Sequence, residues 1–221
     1  MKALFLIFIS ISSFMFSQKN IEWNQKNRLS FDDFIGEPEI SSAAAASAIN
    51  IEYEIISQSI WTGKIKIKIK ANFNKEKSWA KPEFKNLQLL AHEQGHFDIA
   101  QIFAIYMQRK VNNEIKTSQD FHKKFQIVYD QIYNEYFEFQ NKYEIDTNRG
   151  SDVPKQDEYD IMIKEKLNDL LQQFQRLYHI NSLSQNGFKQ ISLFLNSFQS
   201  IFNIEIRRFQ TFLQFIPFNR H

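Results

Sequence analysis

Residues 82–116 read PEFKNLQLLAHEQGHFDIAQIFAIYMQRKVNNEIK, and this stretch decides the fold. It has no proline after Pro82 and a single glycine, Gly95, which predicts one long helix beginning near Pro82. Apolar residues lie on several sides of this helix, so it is expected to be central and buried. The polar residues His92, Glu93 and His96 inside it therefore need partners.

Two stretches upstream of this helix alternate between apolar and polar residues. In INIEYEI (residues 49–55) the polar positions are asparagine and glutamate, and in KIKIKIKANF (residues 64–73) they are mostly lysine. A period of two over this length predicts strands with one solvated face. We expect the strands to pair antiparallel, with the glutamates of one facing the lysines of the other.

Two more helices are predicted downstream. The first follows Ser118, which we expect to cap it. Residues 144–154, EIDTNRGSDVP, contain a glycine and a proline and predict a break, and the last helix runs from about Gln156 to Leu177. The predicted fold is therefore α+β, with a small antiparallel sheet packed against a bundle of long helices.

The two ends of the chain have their own character. Residues 1–17 carry one lysine and then an uncharged apolar run, which predicts a signal peptide, with an uncleaved anchor as the alternative. Residues 179–221 contain one acidic residue and eight phenylalanines. Two structures are open for this C-terminal extension, a helix that packs on the domain and a membrane-surface helix.

Composition limits the partners and the chemistry. A net charge of +2 is too small for a nucleic-acid-binding surface, so no nucleic-acid partner is expected. The signal peptide predicts a secreted or periplasmic protein, with membrane association only through an uncleaved signal or the C-terminal extension. The chain has no cysteine, so any metal site must be built from His, Asp and Glu.

His92 and His96 lie one helical turn apart, so both imidazoles can reach one zinc ion. Glu93 falls on the adjacent flank, where it can act as the general base for a zinc-bound water. Gly95 leaves space beside the histidines. The competing interpretation is a pair of core histidines with ordinary hydrogen-bond partners. The neighbouring Asp98 projects away from both histidines, so we expect a structural partner for it.

The motifs also resemble those of a known family. LLAHEQGHFDIA resembles the signature of the predicted secreted bacterial zinc-dependent proteases, whose metal helix is similar to that of the zincins. RLSFDDFIGEP, KEKSWAK and YEIDTNRG resemble further motifs of that family, over about residues 20–175. The resemblance implies that His92 and His96 bind zinc and that Glu93 is the base. It also implies histidine where this chain has Arg149.

The third zinc ligand is open at this point. Arginine is always protonated and cannot coordinate zinc, so Arg149 is instead a candidate for a substrate or oxyanion contact, or a surface ion pair. Tyr143 could contact the substrate or simply pack at the helix end. Asp146 is the preferred third ligand. The other residues considered are Asp152, Glu114 and His122.

The predicted function is a secreted zinc metallohydrolase, a peptidase acting on peptide or protein substrates. Residues 1–17 would be the signal peptide, residues 18–178 the zinc metallopeptidase domain, and residues 179–221 the aromatic-rich extension. Two alternative functions belong to classes of protein other than enzymes. One is a catalytically impaired envelope protein of the same fold, with its third ligand lost at Arg149. The other is a helical interaction module whose aromatic extension docks on a partner or a membrane.

Overall fold

The computed structural model describes residues 19–183, where three long helices pack with small antiparallel sheets. The predicted α+β fold is confirmed. The helices are α1 (Leu87–Glu114), α2 (Ser118–Asp146) and α3 (Val153–Leu183), and the strands are β1 (Asn20–Glu22), β2 (Ala45–Ala46), β3 (Ile49–Gln58), β4 (Ile65–Asn74) and β5 (Trp79–Ala80). Among these helices, none combines the length and apolar character that a membrane span requires.

The chain forms two compact units, Met1–Leu170 and Leu171–His221. All elements from β1 to α2 lie in the first unit, and α3 runs from the first into the second. The predicted signal peptide and most of the predicted C-terminal extension lie outside the described residues. The predicted domain boundary at residue 178 stays a prediction.

The predicted hairpin of β3 and β4 is antiparallel and has the expected charge pairing. Glu52 lies opposite Lys70 and Glu54 lies opposite Lys68. Strand β1 pairs with the other edge of β4, so the sheet order is β1–β4–β3. Strand β4 buries alternate side chains on the side of α1, namely Ile67, Ile69, Ala71 and Phe73.

Helix α1 begins later than predicted. Pro82–Phe84 form a separate 3-10 turn, and α1 begins only at Leu87. Asn86 has an extended backbone and its side-chain oxygen accepts the Leu89 amide proton at 2.9 Å, which caps the helix at that point. Helix α1 then packs against β3, β4 and α2 and is the central element, as its apolar sides predicted.

Helix α2 is capped by Thr117, not by Ser118 as predicted. The Thr117 hydroxyl accepts from the Asp120 amide at 3.1 Å, and the Asp120 carboxylate accepts from the Thr117 amide at 3.1 Å. This reciprocal capping box satisfies amide groups at the helix start. At the other end, residues 144–146 form the last turn of α2 instead of belonging to a break. The break is confined to residues 147–152.

Candidate metal centre

His92 and His96 lie one turn apart on α1 and their rings converge. The two Nε2 atoms are 3.1 Å apart and the ring centroids 4.7 Å apart. The side chain of His92 is 3% exposed and that of His96 17% exposed. The helical spacing thus directs both imidazoles to one point, as the sequence predicted.

Glu144, in the last turn of α2, brings a third ligand atom to the same point. Its Oε2 lies 3.0 Å from His92 Nε2 and 3.2 Å from His96 Nε2. Zinc lies about 2.0–2.1 Å from its ligands, which separates tetrahedral ligand atoms by about 3.3 Å, close to the observed distances. His92, His96 and Glu144, the metal cluster, therefore form a group that could hold a metal ion.

Two glutamines determine which ring nitrogens carry protons. The side-chain oxygen of Gln156 lies 3.0 Å from His92 Nδ1, and that of Gln140 contacts His96 Nδ1. Each amide is oriented through its nitrogen: Gln140 donates to the His96 carbonyl at 2.9 Å, and Gln156 donates to Asp160 at 2.7 Å. Because both amide oxygens face the rings, both Nδ1 atoms must be the donors.

This arrangement leaves three lone pairs facing one another. With Nδ1 protonated in each neutral ring, both Nε2 atoms are acceptors, and the Glu144 carboxylate is also an acceptor. Acceptors packed this closely repel unless a proton or a cation lies among them. An Nδ1–H donated to a protein oxygen is also the usual support of a metal-ligating histidine. The metal cluster therefore offers two imidazole nitrogens and one carboxylate oxygen, each with a lone pair that could bind a cation.

The pKa shifts of Glu144 and His96 indicate the same preference for positive charge in the metal cluster. The facing rings of His92 and His96, which can donate from Nε2 only when they are positively charged, hold the pKa of Glu144 well below its usual range. Burial lowers the pKa of His96, but the hydrogen bond to Glu144 and the negative charge of Glu93 outweigh burial, so this pKa is raised. Both shifts favour a positive charge between the carboxylate and the rings.

Glu93, the predicted general base, is buried beside the metal cluster. Its Oε2 accepts a hydrogen bond from the Ser47 hydroxyl at 2.5 Å. Ser47 directly follows β2, so this bond joins α1 to the segment that precedes the main hairpin. One carboxylate oxygen of Glu93 is therefore fixed by Ser47, and its charge acts on His96.

Tyr143 and two glycines hold the histidines in place. Tyr143 is fully buried, stacks on the His92 ring at 4.8 Å and donates to the His92 carbonyl at 3.1 Å. A Cβ on Gly95 would collide with the Tyr143 hydroxyl, and a Cβ on Gly150 would lie 2.8 Å from the His92 Cβ. Gly150 also has a φ of 75°, which glycine adopts without strain. Tyr143, predicted as a possible substrate contact, here orients His92.

Arg149 lies beside a metal-cluster residue. Its Nε is 3.6 Å from Glu144 Oε1, the oxygen that does not face the histidines. Its side chain is 63% exposed, and its φ of 57° belongs to the left-handed turn after α2. The ion pair is thus with Glu144, and a contact of Arg149 with a substrate stays a prediction.

The structure does not bring Asp146 or Asp152 into the metal cluster. The Asp146 carboxylate accepts from the Tyr159 hydroxyl at 2.7 Å and pairs with Lys142 at 3.0 Å. The Asp152 carboxylate accepts a backbone amide of the first turn of α3 at 3.1 Å. Both carboxylates already have structural partners, and the geometry favours Glu144 over the predicted Asp146 as the third ligand.

Glu114 and His122 lie at the far ends of their helices. Glu114 ends α1, eighteen positions after His96, and His122 is in the first turns of α2. At 1.5 Å per residue these positions are about 25–35 Å along the helix axes from the metal cluster. Neither side chain can reach it.

Among the site residues that the sequence analysis missed, Glu144 and Gln140 lie on α2. They are four positions apart on α2 and so share one helical face, as His92 and His96 do on α1. This spacing was a usable signal, but Glu144 was assigned to the predicted break. The capping of α2 by Thr147, whose hydroxyl donates to the Tyr143 carbonyl at 2.7 Å, extends the helix far enough to include it.

Comparison with protein-family models, with curated proteins and with solved structures finds no match to this chain. The candidate metal centre is therefore defined by its own geometry. That geometry consists of three converging acceptor atoms, two glutamines that orient the rings, and a buried carboxylate alongside.

Proposed function

We propose that this chain is a zinc-dependent hydrolase, specifically a peptidase, whose ion is held by His92, His96 and Glu144. The observation that carries the proposal is the triangle of acceptor atoms with sides of 3.0, 3.1 and 3.2 Å. Two histidines and one glutamate are a ligand set of hydrolytic zinc enzymes, which keep a fourth position for water. The resemblance to predicted secreted bacterial zinc-dependent proteases supports the same activity and an exported location.

Glu93 is the proposed general base. Zinc, when bound, supplies a water molecule whose pKa is lowered toward neutrality. The carboxylate of Glu93 would accept a proton from that water, and the resulting carboxylic acid would donate it to the leaving amine. The Ser47 hydroxyl occupies Oε2 at 2.5 Å, which leaves Oε1 to take the proton. Ser47 is thus a positioning residue for the base.

An extended peptide is the substrate that the surroundings favour. Strand β2 pairs only with β5, so its second edge carries no strand among residues 19–183. A peptide that adds to this edge through main-chain hydrogen bonds would lie beside Ser47 and Glu93. Residues 41–48 are all serine or alanine, and their small side chains leave room for the peptide.

The alternative of an impaired envelope protein depended on Arg149 standing where a third ligand was needed. Glu144 offers a carboxylate for that position, and Arg149 lies against its other oxygen. The sequence alone suggested that a third ligand was missing because Arg149 stands in its place. Since Glu144 could fill that position, we favour the hydrolase.

The test is a Glu93→Gln variant of the full chain, assayed for zinc content and for cleavage of casein and unstructured peptides. We expect stoichiometric zinc in both proteins and a loss of about 10²–10⁴-fold in turnover, the contribution of a general base. Glu114→Gln, at the other end of α1, is the matched control and should retain activity. Retained activity in Glu93→Gln, or a purified protein that binds no zinc, would refute the proposal.

A further inference from the structure

The turn between β3 and β4 exposes large apolar side chains. Ile60 and Trp61, in that turn, are each 94% exposed. Ile55 and Ile56, on the last residues of β3 toward the turn, are 42% and 46% exposed. Clustered exposed apolar residues of this size mark an interaction site on a folded domain.

Among residues 19–183, the lysines next to this turn have no acidic partner. Farther along β4, Lys68 and Lys70 each form an ion pair with a glutamate. Lys64 and Lys66 are exposed, and among residues 19–183 no carboxylate lies within ion-pair distance of either. Within residues 19–183, the lysine charges of β4 are therefore paired with glutamate at Lys68 and Lys70 but unpaired next to the turn, at Lys64 and Lys66.

The start of α2 adds positive charge to the same end of the molecule. The Gly63 carbonyl accepts from the Ser118 amide at 2.8 Å, and the Ile65 amide donates to the Lys116 carbonyl at 3.2 Å. Residues 55–66 and 114–124 together contain five lysines and two acidic residues, a net charge of +3. Residues 19–183 contain 22 basic and 24 acidic residues, a net charge of −2, so within this part of the chain the positive charge is concentrated here.

We propose that this end of the molecule, the docking face formed by Ile60, Trp61, Lys64 and Lys66, binds an anionic lipid surface. Tryptophan favours the membrane–water interface, and an exposed isoleucine beside it can enter the boundary of headgroups and acyl chains. Each lysine near an anionic leaflet strengthens binding by about fivefold. Nucleic acid is disfavoured because neither segment contains arginine, and because it would leave Ile60 in water.

Docking in this way would hold the metal cluster away from the lipid. The docking face adjoins the end of α1, whereas His92 lies near its beginning. The intervening helix is about 30 Å long at 1.5 Å per residue. A surface-bound molecule would therefore keep its metal centre in water, accessible to soluble substrates.

The test is flotation of the full chain with phosphatidylcholine vesicles and with vesicles that also contain phosphatidylglycerol. We expect binding to the anionic vesicles, at least about tenfold weaker binding to the neutral ones, and a blue shift of tryptophan emission. Trp61 should be the source of the shift because Trp79 is buried and the Trp23 indole already donates a hydrogen bond to Asp98.

Two double variants separate the apolar and the charged contributions. Ile60→Ser/Trp61→Ser should weaken binding at least about tenfold on anionic vesicles, because two large side chains no longer leave water. Lys64→Ser/Lys66→Ser should weaken it about 10–25-fold on anionic vesicles and leave neutral vesicles unaffected.

Matched control variants remove the same groups elsewhere. Ile40 and Leu87 are 109% and 83% exposed, so Ile40→Ser/Leu87→Ser should bind as the parent does. Lys77→Ser/Lys164→Ser is the charge control, since both lysines are exposed. The proposal fails if the parent binds neither vesicle, if it binds both equally, or if the docking-face variants bind as tightly as the controls. If the C-terminal extension were the part that binds the vesicles, the docking-face variants would bind as tightly as the control variants.

Discussion

Two polar clusters lie along helix α1, and they differ in their balance of hydrogen-bond donors and acceptors. On one side, the Asp98 carboxylate accepts from Trp23 at 2.7 Å, from Arg28 at 2.8 Å and from Gln94 at 2.9 Å. On the other side, the metal cluster brings three acceptors together. Asp98 is thus a satisfied structural carboxylate, as the sequence predicted, whereas the metal cluster needs a proton or a cation among its acceptors.

The comparison shows that burial alone does not identify a functional site. The side chain of Asp98 is 8% exposed and that of Glu144 is 40% exposed, so the more buried carboxylate is the structural one. What distinguishes them is whether hydrogen-bond donors match the acceptors, because a buried acceptor without a donor is destabilising. Substitutions in the two clusters should therefore have opposite effects on stability and on metal binding.

The largest effect on metal binding is expected for Glu144→Gln. Loss of a ligand should weaken zinc binding by more than the 10–100-fold (about 1.4–2.7 kcal/mol) typical of a supporting residue. Without zinc the variant should be at least as stable as the parent, because an amide can donate to the facing imidazoles. Competition with a chelator and denaturant unfolding measure the two quantities.

Asp146→Asn is the matched control for Glu144→Gln, two positions away on the same helix. Zinc binding should be unchanged, because the Asp146 carboxylate contacts Tyr159 and Lys142. If instead Asp146→Asn loses zinc and Glu144→Gln keeps it, the third ligand is the one that the sequence analysis preferred.

Asp98→Asn should have the complementary effect. Its amide cannot accept from all three donors, so the free energy of unfolding should fall by about 2–4 kcal/mol. Zinc affinity per folded molecule should not change. Denaturant unfolding with and without zinc checks both values, and a large loss of zinc affinity would show that the two clusters are not independent.

Gln140→Met should have a smaller effect on zinc. It removes the oxygen that accepts from His96 Nδ1, and loss of such a supporting group weakens metal binding about 10–100-fold. Gln140→Glu keeps an acceptor oxygen at that position and should keep the affinity. Isothermal titration of both variants tests the assignment of the ring protons, which equal losses would contradict.

The smallest expected effect is that of pH on zinc binding. Burial lowers the pKa of His96, but the hydrogen bond to Glu144 and the charge of Glu93 raise it further, so the net shift is upward. Zinc requires the neutral ring, so protons compete at every pH below this raised pKa. Apparent affinity should fall about tenfold for each pH unit below it. Calorimetry in buffers of different ionisation enthalpy should show proton release, and pH-independent affinity would contradict this.

Much of the fold could be predicted because its signals are local. The alternation of residues 49–55 and 64–73 predicted the hairpin and its glutamate–lysine pairing, and the long apolar stretch predicted a central helix. The predicted helix boundaries were less accurate. The sequence favoured Pro82 and Ser118 as the residues that begin the helices, whereas the caps are Asn86 and Thr117. Each boundary depends on one or two local hydrogen bonds, which composition does not reveal.

The sequence by itself determined that His92 and His96 face one point, because residues four apart on a helix share a face whatever the helix packs against. Only the tertiary structure identified Glu144 as the candidate third ligand. Glu144 is 48 residues from His96 along the chain, and it arrives through the packing of α1 on α2. The ring protons also depend on Gln140 and Gln156, on two other helices. Long-range contacts of this kind follow from how helices pack, which no local pattern encodes.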